Sequence, residues 1–321
     1  MKNIVVIGLG GIGGYFGFKI NRENKKENHI EFVARNDTYK KLEENGLTLL
    51  SPEFNDTVTI PDSVYQNISE IQNPDLILIC VKDYDLENVC NQLATVITPK
   101  TVILPMLNGV NIYERIRTII PDNIILPSCI YISSYIKEKG VVEQIGKPGK
   151  IIFGKDPEHF SSDISFVTEL FKKSNINFDF KDDPFIDIWT KFLFVASFAL
   201  VTSKYNSNFG TALSNKIQRN ELNGIMKEIK TVTLAKGIAL PEDIIEKTIK
   251  IAYSIPYEAT TSLQLDVNIR KGNNELELFA GAILKYADEL NIKVPFTKKI
   301  HDDIYNLKSA RVFVTKSLND C

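Results

Sequence analysis

The sequence predicts an α/β protein in two parts: a doubly wound parallel sheet at the N-terminal end and an all-helical domain after it. Two patterns predict it. Short, continuously apolar runs alternate with helix-like segments through the first half, as parallel strands buried on both faces do. Beyond "KDDPF" (181–185) almost every segment reads as helix. The length agrees, because 321 residues make two domains at roughly 150 each. The boundary is set at Lys181, giving parts 1–181 and 182–321.

The elements follow in order. "NIVVIG" is a buried strand, and a helix runs from about Gly11 to Asn24. "HIEFVAR" is the second strand. "DTYKKLEENG" is a short helix with Asp37 as its expected N-cap and Gly46 as its stop. "DLILICVK" and "TVILPML" are two further strands around a helix near Leu86 to Val96. Asn123 to Gly154 reads as an antiparallel extension of the sheet. Pro184 suits the first turn of the first helix of the second part.

Bulk properties narrow the function. The chain is 44% hydrophobic and 24% charged with a net charge of -2. That fits a globular core and leaves no electrostatic footprint for nucleic acid. The longest apolar stretch, Phe192 to Thr202, reads as too short to span a bilayer. The first strand starts so early that no targeting segment is expected. Cys80, Cys90, Cys129 and Cys321 are scattered, as are His29, His159 and His301. A reduced, cytoplasmic chain without a metal centre is the expectation.

Gly8, Gly10 and Gly13 fit GxGxxG between a strand and a helix. Gly8 permits the tight turn, Gly10 lets a pyrophosphate approach the backbone, and Gly13 brings helix and strand together. The helix N-terminus then offers free N–H groups to the anion. Gly14 and Gly17 read as packing glycines. A Rossmann-type dinucleotide site follows. Its nucleotide is set at the end of the second strand, where NAD wants an acid and NADP a base. Arg35 stands there, so NADP is expected. Lys82 and Asn108 also follow strands, where ligands bind open α/β sheets. Lys82 either supports the cofactor phosphates or reaches for solvent; Asn108 with Gly109 either approaches the nicotinamide or makes a turn.

In "DIWTKFLFVASFALVTS", Lys191 is the single cation before Lys204, with Ile188, Phe194, Val195 and Phe198 on its helix face. It either reaches the surface or donates a proton from a dry site, where its pKa would fall. Ser262 either donates to a carboxylate or caps a helix. Asp266 is placed to pair with Arg270, and Glu275 either lines the site or is a first-turn acid. Glu277, two positions on, does not share its face.

These residues resemble the ketopantoate reductases over nearly the whole chain. The matching stretches are "GLGGIG", "VAR", "CVKDYD", "LNGV", "IWTKFLF", "TSLQLD" and "NELELFAG". The resemblance implies NADPH-dependent reduction of a branched 2-oxo acid to pantoate, on the route to pantothenate and coenzyme A. It implies that Gly8, Leu9, Gly10, Gly11, Ile12, Gly13, Arg35, Lys82 and Asn108 hold the cofactor. Lys191 would be the general acid and Glu275 would organise the site. Asn108, Lys191, Asn208 and Ser262 would meet the substrate. The chain also departs from the family pattern: Val195, Ala199 and Phe209 stand where asparagines are usual, with Asn208 beside the last. A different branched or aromatic 2-oxo acid is therefore a second reading, and a non-catalytic NADPH sensor a third. A homodimer is compatible with the helical domain.

Overall fold

The structure, a computed structural model, describes residues 1–54, 57–269 and 272–317, with side chains as far as residue 307. Arg270, the expected partner of Asp266, and Cys321 lie outside the described residues. The chain divides into two compact units, Met1–Phe185 and Ile186–Cys321.

The first unit contains, in order, β1 (Asn3–Ile7), α1 (Gly11–Asn24), β2 (His29–Val33), α2 (Asn36–Asn45), β3 (Leu47–Leu50), β4 (Val58–Thr59), β5 (Ser63–Tyr65) and β6 (Leu76–Ile79). Then come α3 (Leu86–Leu93), β7 (Val102–Pro105), α4 (Ile112–Ile119), β8 (Ile124–Ile125), β9 (Ser128–Tyr131), β10 (Ser134–Glu138), β11 (Val141–Gln144), β12 (Lys150–Gly154), α5 (Ser165–Lys173) and β13 (Asn177–Lys181). The main sheet has the order β5-β2-β1-β6-β7-β8, all parallel. Its central strands are Val, Ile and Leu runs buried on both faces. They end level, because Ile7 lies opposite both Val33 and Ile79, and Ile79 opposite Pro105.

The segment from Asn123 to Gly154 is not an extension of this sheet. Only β8 joins it, as a parallel edge. β10 and β11 pair instead with β3 and β4, and β9, β12 and β13 form a third sheet in which β12 and β13 are parallel. The reason is that alternation identifies a strand but not its partner, and Val142 pairs with Leu49 from far away in sequence.

Helix α1 lies between two sheets. A methyl on Gly17 would meet Phe32 at 3.2 Å on one side, and one on Gly14 would collide with Val142 on the other. Hence every residue from Gly13 to Asn21 is buried, and the helix lacks a polar face. Its buried Lys19 is neutralised by Glu53 at 2.8 Å, which also accepts from Tyr15 Oη at 2.5 Å. Burial, with that carboxylate, pushes the Tyr15 phenol well above its usual range. Helix α2 begins at Asn36 with Arg35 in the cap position, so Asp37 is a first-turn acid rather than the cap. Gly46, at φ 72°, ends it as expected.

The second unit is helical, with α6 (Phe185–Tyr205, starting at the boundary residue), α7 (Phe209–Ser214), α8 (Lys216–Ala235), α9 (Ile244–Ala252), α10 (Ser262–Asn268), α11 (Ala282–Glu289) and α12 (Pro295–Ser317). Pro184 sits one residue ahead of α6 rather than inside its first turn. Helix α6 is longer than its apolar stretch suggested: its 21 residues, with mean hydropathy 1.6, would cross a membrane by length and composition. Of that window 61% is buried within the protein. A π-helical turn, Glu277–Gly281, leads into α11 where a continuous α-helix was expected.

Candidate active site

Four expected cofactor positions meet along one edge of the first unit. Gly8 follows β1, Arg35 follows β2, Lys82 follows β6 and Asn108 follows β7. Because the strand order runs β2-β1-β6-β7, these residues line up across the carboxyl ends. The chain leaves β1 toward β2 and later returns on the other side at β6, which opens a crevice at the end of β1.

The glycines differ in what requires them. Gly8 has φ +91°, and a Cβ there would meet Cys80 O at 2.9 Å. A Cβ on Gly13 would collide with the carbonyl of Gly8, and one on Gly11 with the carbonyl of Ser134. These three are demanded by the protein's own packing. Around Gly10, by contrast, no protein atom beyond its immediate chain neighbours lies within 4 Å of an added Cβ among the described residues. Its φ of -78° suits any residue. Close approach of something other than protein is the remaining use for a glycine there, and a dinucleotide pyrophosphate fits it. Gly10 is the N-cap of α1, and its carbonyl accepts from Gly14 N at 2.7 Å. Leu9 is buried and Ile12 packs against the core, so each has only its backbone to offer. Below the loop, burial pushes the Cys80 thiol far up, which keeps it protonated and inert.

Sequence reasoning missed Ser134. Its Oγ is buried without a hydrogen-bond partner among the described residues, and it abuts Gly11. It reaches the loop only through the pairing of β10 with β11 and of β11 with β3, which no local pattern announces. Arg35 is exposed and makes a two-point pair with Asp85. Lys82 is half-buried at the start of a short 3₁₀ turn, Asp83–Asp85, whose Asp83 carbonyl accepts from Arg115 at 2.9 Å. Asn108 is half-buried, and Gly109 beside it has φ 120°. The pair lies in the connection from β7 to α4 and does not turn a hairpin.

In the second unit, Lys191 is half-buried on α6 between Trp189 and Phe192. Trp189 packs on Tyr286 with ring centroids 5.9 Å apart, and Phe192 on Phe279 at 6.1 Å. These contacts fix the lysine's turn against the π-helical turn and α11. Glu275 stands just before that turn, 3% exposed, and its carbonyl accepts from Phe279 N. Glu277 is exposed and pairs with His301 at 2.8 Å, so the two acids do take opposite environments. Ser262 is the exposed first residue of α10, and the helix is capped by Thr261, whose hydroxyl lies 2.9 Å from that of Thr202 on α6. Asn208 caps α7 through Thr211 N at 2.8 Å and donates to Glu258 at 2.6 Å, so its amide already has structural work. Among the described residues no cluster of three or more His, Cys, Asp or Glu could hold a metal.

The sequence matches the family described as "Ketopantoate reductase PanE/ApbA" over residues 4–158, and its C-terminal counterpart over 186–307. The chain belongs to the ketopantoate reductase family. Its members are oxidoreductases. An oxidoreductase of Bacillus subtilis named YkpB, whose function is uncharacterised, is 24% identical over 94% of this chain and 97% of its own length. A 2-dehydropantoate 2-reductase of Streptococcus pyogenes is 21% identical over 94% and 96%. The fold matches a ketopantoate reductase from Ralstonia eutropha with TM-score 0.86 and 20% identity, covering 96% of this chain and 99% of that one. It also matches a D-mandelate dehydrogenase solved with NADH and anilino(oxo)acetate, with TM-score 0.82, 17% identity and the same coverage.

Within this ketopantoate reductase family member, Phe194, Phe198 and Phe209 form an apolar wall beside Lys191's helix face. Phe209 stacks on Phe198 with centroids 4.6 Å apart and planes 11° apart. Phe194 lies 5.2 Å from Phe198 and 6.1 Å from Phe209. Phe194 and Val195, one turn beyond Lys191, are only partly buried, while Ala199 is closed off.

Proposed function

We propose that this chain reduces ketopantoate to pantoate with NADPH in the cytoplasm, toward pantothenate and coenzyme A. The observation that carries the reading is Lys191: a half-buried ammonium in the apolar middle of α6, flanked by Trp189 and Phe192, which pack toward Tyr286 and the π-helical turn that buried Glu275 precedes. NADPH, when bound, supplies a hydride. The residues of the first unit hold it: the N–H groups of the Gly8–Gly13 loop and Lys82 on phosphate, Arg35 on the 2′-phosphate, and Asn108 at the nicotinamide end. Lys191 acts on the substrate. As the carbonyl carbon gains the hydride, the C=O π pair moves onto oxygen. The ammonium stabilises that charge and transfers its proton to the oxygen, giving the 2-hydroxy acid; solvent then reprotonates the amine. Ser262 would hold the substrate carboxylate, Asn208 would add an amide contact, and Glu275 would orient the site.

The phenylalanine wall favours a second reading, an aromatic or bulky branched 2-oxo acid. Of these rings only Phe194 is partly exposed, backed by buried Phe198 and Phe209, and it offers a hydroxylated side chain no hydrogen-bond partner but an aryl ring a face or edge to pack on. One assay separates the readings. NADPH oxidation is followed with ketopantoate, phenylpyruvate, phenylglyoxylate and 4-methyl-2-oxopentanoate. The highest kcat/KM on ketopantoate is expected. A preference for the aryl acids replaces the first reading with the second, and tight NADPH binding without turnover on any acid leaves the sensor.

A further inference from the structure

Helices α8 and α9 flank an open surface groove of about 470 Å³ that none of the reductase chemistry uses. That is the size of a site for a small organic molecule. Arg219 and Lys227 line it from α8, two turns apart; Glu246, Ile249 and Lys250 line it from α9, and Tyr253 from the residue past α9. Three cations thus face one carboxylate. The Arg219 guanidinium lies 5.9 Å from the centroid of the Tyr253 ring. Its Nη1 is shielded from solvent and has no hydrogen-bond partner among the described residues. A charged donor left this way is costly, and a planar fork beside an aromatic ring suits a two-oxygen acidic group. Half-exposed Arg219 thus lines the groove beside Tyr253 and partly exposed Ile245, which supply apolar surface. Tyr253 is 66% exposed, so its ring is open to a ligand.

We propose that this groove binds an amphipathic organic anion, with its acidic group on Arg219 and an aromatic or branched body on Tyr253 and Ile245. Lys227 and Lys250 add long-range attraction. The glycine loop and Lys191 belong to other elements, so the site is independent of the proposed reduction.

Two fluorescent probes with one hydrocarbon frame test this: anilinonaphthalene sulfonate, which carries the acid, and uncharged phenylnaphthylamine. Both are titrated into the full chain with NADP⁺ present, in wild type and in Arg219→Gln. One sulfonate probe per chain is expected, with affinity falling about ten-fold in Arg219→Gln, the loss of one charged hydrogen bond. Phenylnaphthylamine should bind both proteins equally. Unchanged sulfonate affinity in Arg219→Gln overturns the proposal, as does an equal loss for both probes. Sedimentation provides a further arm. A dimer that excludes the sulfonate probe and that Tyr253→Glu dissociates would make the groove an interface between copies, which also overturns it.

Discussion

Arg35 and Asp85 face each other from the ends of two strands that lie on either side of β1: Nη2 is 2.6 Å from Oδ2, and Nη1 is 3.4 Å from Oδ1. With 63% and 22% of the two side chains exposed, the pair itself is worth under about 1 kcal/mol. Its interest lies in competition. A 2′-phosphate has to draw Arg35 away from Asp85 and approach that carboxylate. Asp85→Ala should therefore tighten NADPH roughly two- to five-fold, the range set by an exposed pair, and leave NADH unchanged. Arg35→Ala should weaken NADPH about ten-fold or more by removing a charged hydrogen bond, again with little effect on NADH. Fluorescence titration of both cofactors checks this; equal losses for the two would remove Arg35 from the 2′-phosphate.

Gly10 and Gly13 should separate binding from folding. Gly10→Ala meets open space at an ordinary φ, so the melting temperature should hold while dinucleotide affinity falls at least ten-fold. Gly13→Ala drives a methyl into the Gly8 carbonyl. It should lower stability by about 2 kcal/mol, as overpacking does, before any cofactor is added. Thermal melts beside titrations distinguish the two, and a Gly10→Ala protein that binds normally would show that the loop does not carry the pyrophosphate.

What the sequence conveyed about this edge follows from locality. Gly8, Gly10 and Gly13 are legible because one turn uses all three, and Arg35 because the second strand's length fixes its place. Asp85 and Ser134 were not, since each arrives through strand order or pairing across tens of residues. The same limit hid the split of Asn123 to Gly154 among three sheets. In the helical unit, Lys191 stood out as a cation in an apolar run. The stacking of Phe209 on Phe198 did not, because spacing within α6 says nothing about α7. Thr261 took the capping role open to Ser262, a one-residue choice that composition leaves undecided.

Asp156 should set part of the acid stability of the first unit. Burial raises its pKa, but the Ile125 N–H, Tyr113 hydroxyl, Glu158 N–H and Arg117 outweigh that and hold it below the usual carboxylate value. A depressed folded-state pKa contributes stability above the unfolded value of about 3.9, and the contribution is lost as pH falls through the folded value. Asp156→Asn leaves the largely buried Arg117 with only the exposed Glu158 as a carboxylate partner among the described residues, at 3.4 Å, so it should cost about 3 kcal/mol at pH 7. Denaturant melts from pH 7 down to the acid limit should show the difference shrinking below the unfolded carboxylate pKa. A difference that stays constant across that range would refute the role.

Lys191→Ala should lower kcat by about 10² to 10⁴, the range for a lost general acid, with NADPH affinity unchanged because the loop proposed to hold the cofactor belongs to the first unit. Stopped-flow single turnovers with added primary amines extend the test. Partial rescue by a small amine is expected if the defect is the missing proton donor. Full turnover in the alanine variant would assign the proton to another group.

If the aromatic-acid reading holds, Phe209 should bias what the site accepts through the wall it backs. Its ring lies nearly parallel to Phe198, and Phe194 completes the wall one turn from Lys191. Phe209→Asn removes the stack and adds an amide. Burial of the lost ring implies a cost of about 3 kcal/mol, so the variant is assayed well below its melting temperature. The readout is a ratio that stability does not move: kcat/KM for phenylpyruvate over kcat/KM for ketopantoate. It should fall by about ten-fold, since one aromatic pair is worth roughly 0.5–1.5 kcal/mol and a new amide favours the hydroxylated acid. Leu in place of Phe209 keeps the volume without the ring and should give an intermediate ratio. A ratio unchanged in both variants would mean that the wall supports α6 and α7 and does not select the substrate.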